Sequence, residues 1–112
     1  MPRPADRPYS RYSEHAVALL GQLIRQSRIA RAMTTAELAA RAGISRGLIQ
    51  RIEKGDMGCA IGAVFEVATI VGVPLFYSDP RTLAAEVDRQ RDRLTLLPKA
   101  VHTAEIKAKD DF

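Results

Sequence analysis

Arg46, Gln50, Arg51 and Lys54 recur along one side of a short helical stretch, while Ile49 and Ile52 fall on the other. Guanidinium forks and an amide on one helix face can donate to base edges or to phosphates, so the pattern suits a polyanion outside and a core inside. The competing reading of Arg46 and Arg51 is a solvated surface, as for most arginines. Other reactive groups form no working set. Asp88 and Asp92 stand one helical turn apart, but Arg89, Arg91 and Arg93 beside them favour surface ion pairs over a catalytic carboxylate pair. His15 and His102 have no acid or nucleophile spaced to work with them. Cys59 stands alone beside an apolar helix, which favours packing, with redox sensing as the lesser alternative. No enzyme, metal site or cofactor is expected.

Positioning the basic face requires a sharp junction before it, and Ala42-Gly43-Ile44-Ser45 supplies one. A glycine able to adopt positive φ ends one helix and a serine two residues later caps the next, the signature of a helix-turn-helix. Apolar spacing predicts a first helix from Glu14 to about Ala32, carried by Val17, Leu20, Leu23, Ile24 and Ile29, with Arg25, Arg28 and Arg31 favouring its C-terminus. Thr34 and Glu37 form a capping box for a second helix over Thr35 to Ala42, and the third runs from Arg46 to Lys54. A glycine-rich loop leads to a fourth helix over Ile61 to Val71, and Pro74 prevents its extension. A fifth, from about Arg81 to Leu97, places Leu83, Val87, Leu94 and Leu97 on one stripe. That stripe either packs on a partner or folds back on the chain's own core.

The expected organisation is a flexible basic arm over residues 1–13, one all-α domain over 14–97 and a disordered polar tail over 98–112. The 112 residues suffice for one modest core, and 17 Lys and Arg against 13 Asp and Glu give a net charge of +4 that favours an anionic partner. A membrane surface is disfavoured because the polar faces carry both signs of charge. The longest uncharged stretch, Val67 to Ser78, is too short to span a bilayer. A single cysteine and the lack of a signal-like start suit a soluble, cytoplasmic protein associated with the nucleoid.

Over about Gly21 to Leu75 the chain resembles the Xre/Cro-type helix-turn-helix family, the five-helix, lambda-repressor-like fold. The resemblance is carried by Leu38-Ala39, Gly43-Ile44-Ser45, Ile49, Ile52-Glu53-Lys54-Gly55, Ala68 and Gly72-Val73. It implies that Arg46, Gly47 and Arg51 face base edges, with Thr35, Ser45, Gln50 and Lys54 at phosphates or flanks. It implies a partly buried ion pair between Arg28 and Glu53. Two positions depart from the pattern. Gly47 replaces a polar reader, and Asp56, Met57 and Gly58 stand where many relatives present a cation to phosphate.

More narrowly, QRIEKGDMG, IGAVFEVATIVGVPL, RDRLTLLP and the polar C-terminus make the chain similar to HipB-like antitoxins. That resemblance implies a homodimeric repressor on an inverted-repeat operator in double-stranded DNA, which also binds a HipA-like serine/threonine kinase; the alternative is a stand-alone or phage-type regulator. Val101, Ile106, Asp110, Asp111 and Phe112 are the candidate kinase-binding residues of the tail. The apolar ones are spaced to anchor an extended peptide.

Overall fold

A computed structural model describes residues 8–101. It is all-α, with five helices among the described residues: α1 (Arg11–Ala30), α2 (Thr35–Ala42), α3 (Arg46–Glu53), α4 (Ile61–Val71) and α5 (Pro80–Thr95). The chain divides into two compact units at Leu75 and Phe76, so that α5 belongs to a different unit from the first four helices with which the sequence grouped it.

Helix α1 begins three residues before the expected Glu14 start. Ser10 is extended, and its Oγ accepts from the backbone N–H of Ser13 at 3.2 Å, a serine cap hidden in the proline- and arginine-rich start. The last three residues assigned to the arm, 11–13, are therefore helical, and residues 1–7 lie outside those described. Thr34 caps α2, its Oγ1 accepting from the Glu37 N–H at 3.0 Å and donating to Glu37 Oε1 at 3.2 Å. Gly43 then takes φ +70°, which an L side chain rarely adopts, and Ser45 opens α3 by accepting from the Leu48 N–H at 3.1 Å. Local chemistry at Gly43 and Ser45 thus sets the turn between two helices.

The core of the first unit draws on all four of its helices. Ile24, Leu38, Ile49, Val67 and Val71 are fully buried, and Leu20, Ile44, Leu48 and Val64 pack against the cluster they form with Ala39, Ile52 and Ala68. Two residues expected on the buried face of α1 are not there: Leu23 and Ile29 are 40% and 57% exposed. The core meets α1 along Val17, Leu20, Gly21 and Ile24, and the face carrying Tyr12, Leu19 and Leu23 turns away from it.

The arginines expected to favour the α1 C-terminus have longer reach. Arg31 Nε donates to the Val71 carbonyl at 2.7 Å, placing a cation on the C-terminus of α4 instead. Arg28 crosses to α3, as described below.

In the second unit, Asp79 caps α5 by accepting from the Arg81 N–H at 3.1 Å, and Pro80 occupies the first helical position. The helix stops at Thr95, two residues short of the expected end, because Pro98 disfavours helical backbone at Leu97. Leu97 therefore lies beyond the helix whose stripe it was expected to complete. Leu83, Val87 and Leu94, with Phe76 and Tyr77, line a groove of about 560 Å³. Of the surface pairs expected for Asp88 and Asp92, Asp88 with Arg91 forms, whereas Arg89 pairs with Glu86. Val101, the one tail residue of interest that is described, is exposed, whereas Ile106, Asp110, Asp111 and Phe112 lie outside the described residues.

Candidate nucleic-acid interface

Helix α3 owes its orientation to its apolar side. Ile49 is fully buried, Ile52 nearly so, and Leu48 packs at the edge, which leaves Arg46, Gly47, Gln50, Arg51 and Lys54 exposed on the opposite arc. Burying two isoleucines contributes about 3–6 kcal/mol of transfer free energy, enough to fix which face turns outward. The basic arc is a consequence of the core.

A second tie fixes the far end of α3. Arg28 Nε and Nη2 donate to Glu53 Oε2 and Oε1 at 2.7 and 3.0 Å, while Nη1 donates to the Met33 carbonyl at 3.0 Å. Both side chains are largely buried, at 12% and 7% exposure. The hydrogen bond to Glu53 raises the Arg28 pKa above its ordinary value, prevailing over desolvation. With three donors satisfied by α3 and the turn, this pair is structural. Nearby, Gly21 lets α1 approach the end of α3 closely: a Cβ there would stand 2.9 Å from the Glu53 carbonyl oxygen and collide with that of Ile52.

Among the outward residues the arginines differ. The side chains of Arg46, Gln50 and Lys54 make no hydrogen bond or ion pair among the described residues, which leaves their donors available to a ligand. Arg51 is engaged. Its Nε donates to Asp56 Oδ2 at 2.9 Å, and Asp56 Oδ1 accepts from the Gly58 N–H at 2.7 Å. The Arg51 hydrogen bond and the Gly58 amide together hold the Asp56 carboxyl below its ordinary pKa. The sequence marked Asp56 only as a negative charge in an unexpected place. The Gly58 amide, a backbone donor of the same loop, is consumed by Asp56.

Thr35 opens α2 half-buried, and Ser45 spends its Oγ as the α3 cap acceptor, with its hydroxyl proton still able to donate. The first-turn amides of α2 lie beside Thr35, where helix geometry favours an anion. Gly47 is open: a Cβ there would meet only Ser45 Oγ, at 3.9 Å. Cys59 packs against the core, and burial pushes its thiol pKa up. No cluster of His, Cys, Asp and Glu among the described residues could hold a metal, and none of the helices described is long and apolar enough to cross a membrane.

A helix two turns long, capped by serine, with a guanidinium at its start and another in its last turn, fits the width of a B-DNA major groove. Comparison with known families agrees: the profile described as "Helix-turn-helix domain" matches residues 19–75, just over half of the chain. No curated protein and no solved structure gives a match.

Proposed function

This chain belongs to the helix-turn-helix domain family, and from that premise we propose that it is a sequence-specific transcriptional repressor acting as a two-fold dimer on an inverted-repeat operator. The observation that carries the proposal is the exposure of Arg46, Gln50, Arg51 and Lys54 on one arc of α3 while Ile49 and Ile52 anchor the other. Arg46 and Arg51 read bases, and Thr35, Ser45, Gln50 and Lys54 hold phosphates or flanks. One such helix reads only a few base pairs, so two copies about one DNA turn apart, ~34 Å, supply the affinity. The apolar groove along α5, lined by Leu83, Val87 and Leu94, supports pairing with a second copy.

Selection from a random duplex library followed by gel shift tests the reading. Arg46→Ala should weaken binding to the selected sequence more than to a scrambled one, whereas Thr35→Ala should weaken both alike, as loss of a phosphate contact does. Equal losses for Arg46→Ala on both duplexes would reduce the interaction to charge attraction. Light scattering that finds a monomer at full operator affinity would remove the dimer.

The finer reading is an antitoxin that represses its own operon and binds a HipA-like serine/threonine kinase. Its support is the similarity of QRIEKGDMG and the segments after it to HipB-like proteins. Removal of residues 98–112 should leave operator binding intact and weaken kinase capture in calorimetry on purified components. A host pull-down that recovers no such kinase would favour the stand-alone regulator.

A further inference from the structure

We propose that Asp56 is a positioning residue that presents Arg51 end-on to a guanine, making this pair the part of the surface that reads a specific base while adding little to general DNA affinity. The inference rests on the DNA-binding reading above and deepens it at the same site.

The two residues are tied twice. The Asp56 backbone N–H donates to the Arg51 carbonyl at 3.0 Å, and the Arg51 side chain returns through Nε to Asp56 Oδ2 at 2.9 Å. The carboxylate cannot swing freely, because its second oxygen accepts from the Gly58 N–H at 2.7 Å. An arginine has five N–H donors in a rigid plane, and this arrangement uses the one on Nε. Those on Nη1 and Nη2 form the end of the fork, whose spacing matches O6 and N7 of guanine in the major groove.

Solvent exposure argues against a role in stability. The side chains of Arg51 and Asp56 are 53% and 34% exposed, and exposed pairs of this kind contribute little to folding. Their effect falls on orientation: a guanidinium already held along one edge loses less rotational freedom when it meets a base. Charge points the same way. With Asp56 against it, Arg51 offers a nearly neutral pair to the DNA, a weak anchor for any phosphate. Its binding contribution must therefore come from directional hydrogen bonds, which discriminate between bases.

The full-length chain tests this by selection from a random duplex library, followed by titrations of Arg51→Ala, Asp56→Ala, Asp56→Asn and the Arg51→Ala/Asp56→Ala double variant. The wild-type selection should show a required G·C pair whose requirement Arg51→Ala abolishes. Asp56→Ala should lower the preference for that pair on the order of tenfold, and it should raise affinity for scrambled duplex, since one negative charge leaves the surface. Asp56→Asn, which keeps an acceptor for Nε, should retain more of the preference than Asp56→Ala. The double variant should be no less selective at that pair than Arg51→Ala, as coupled residues behave.

A purely structural role would lower binding to selected and scrambled duplexes together, and that result overturns the proposal. So does an Asp56→Ala variant that keeps its full preference at the Arg51-dependent pair. If Arg51→Ala loses a base preference that Asp56→Ala retains, the DNA reading stands and only the positioning role fails. A wild-type selection with no sequence preference sinks both.

Discussion

Arg28 in α1 and Glu53 at the end of α3 are joined by two parallel hydrogen bonds, at 2.7 and 3.0 Å, in a setting that leaves both side chains largely out of water. The pair connects the first helix to the end of the outward-facing helix, so its loss should be felt in folding before it is felt in binding. Glu53→Ala strands a buried guanidinium and should cost about 3–5 kcal/mol in urea unfolding. An Arg28→Met/Glu53→Leu variant should recover much of that loss, because no charge is left without a partner. A Glu53→Ala cost as small as that of a surface pair, below about 1 kcal/mol, would show that the site is wetter than its geometry implies.

Gly21 should resist replacement by alanine. Helix propensity alone favours alanine by about 1 kcal/mol, but the new Cβ would be driven into the carbonyl oxygens of Ile52 and Glu53. A net destabilisation of about 1–3 kcal/mol is expected in thermal melts, the range for overpacking. A variant as stable as the parent would mean that α1 and α3 can separate without penalty.

Gly47 should behave in the opposite way. Nothing closer than 3.9 Å stands where its Cβ would be, so Gly47→Ala should stabilise the isolated protein by up to about 1 kcal/mol. The same methyl should weaken DNA binding if the α3 backbone approaches the duplex there. Unfolding and gel-shift measurements on one variant thus move in opposite directions, and unchanged DNA affinity would leave Gly47 without a role in close approach.

Cys59 should alkylate more slowly in the folded chain than in urea at neutral and mildly basic pH, because burial raises its thiol pKa above the ordinary 9.0. The sign for stability follows. A raised pKa means that the folded state holds the proton more tightly, so this contribution is complete below pH 9.0 and is lost as pH rises through the folded value. Iodoacetamide kinetics across that range decide it. Equal rates in the folded and unfolded chains would place the thiol in water.

Five helices, the turn at Gly43 and the outward arc of α3 were legible in the amino-acid sequence because each is written by neighbours. Ser45 caps the helix that starts at the next residue, Gly43 supplies the one positive φ the junction needs, and Ile49 and Ile52 are spaced to share a face. Such signals act over a few residues and survive without knowledge of the rest of the fold. Ser10 obeys the same rule and was hidden only by the prolines around it. Tertiary structure decided what depends on distant parts of the chain meeting. Arg28 sits in the last turn of α1 and Arg31 just past its end, yet one turns to Glu53 and the other to the Val71 carbonyl; the resemblance implied the first, and no local pattern foretold the second. Gly21 looks like a mid-helix liability until α3 arrives against it. Leu23 and Ile29 fit the apolar period of α1, but the core takes only the arc that α3 and α4 can reach. Asp56 is a misplaced charge in the sequence. It becomes the partner of Arg51 only because the chain turns at Gly55, where φ is +78°, and brings the carboxylate back beside the helix it has just left.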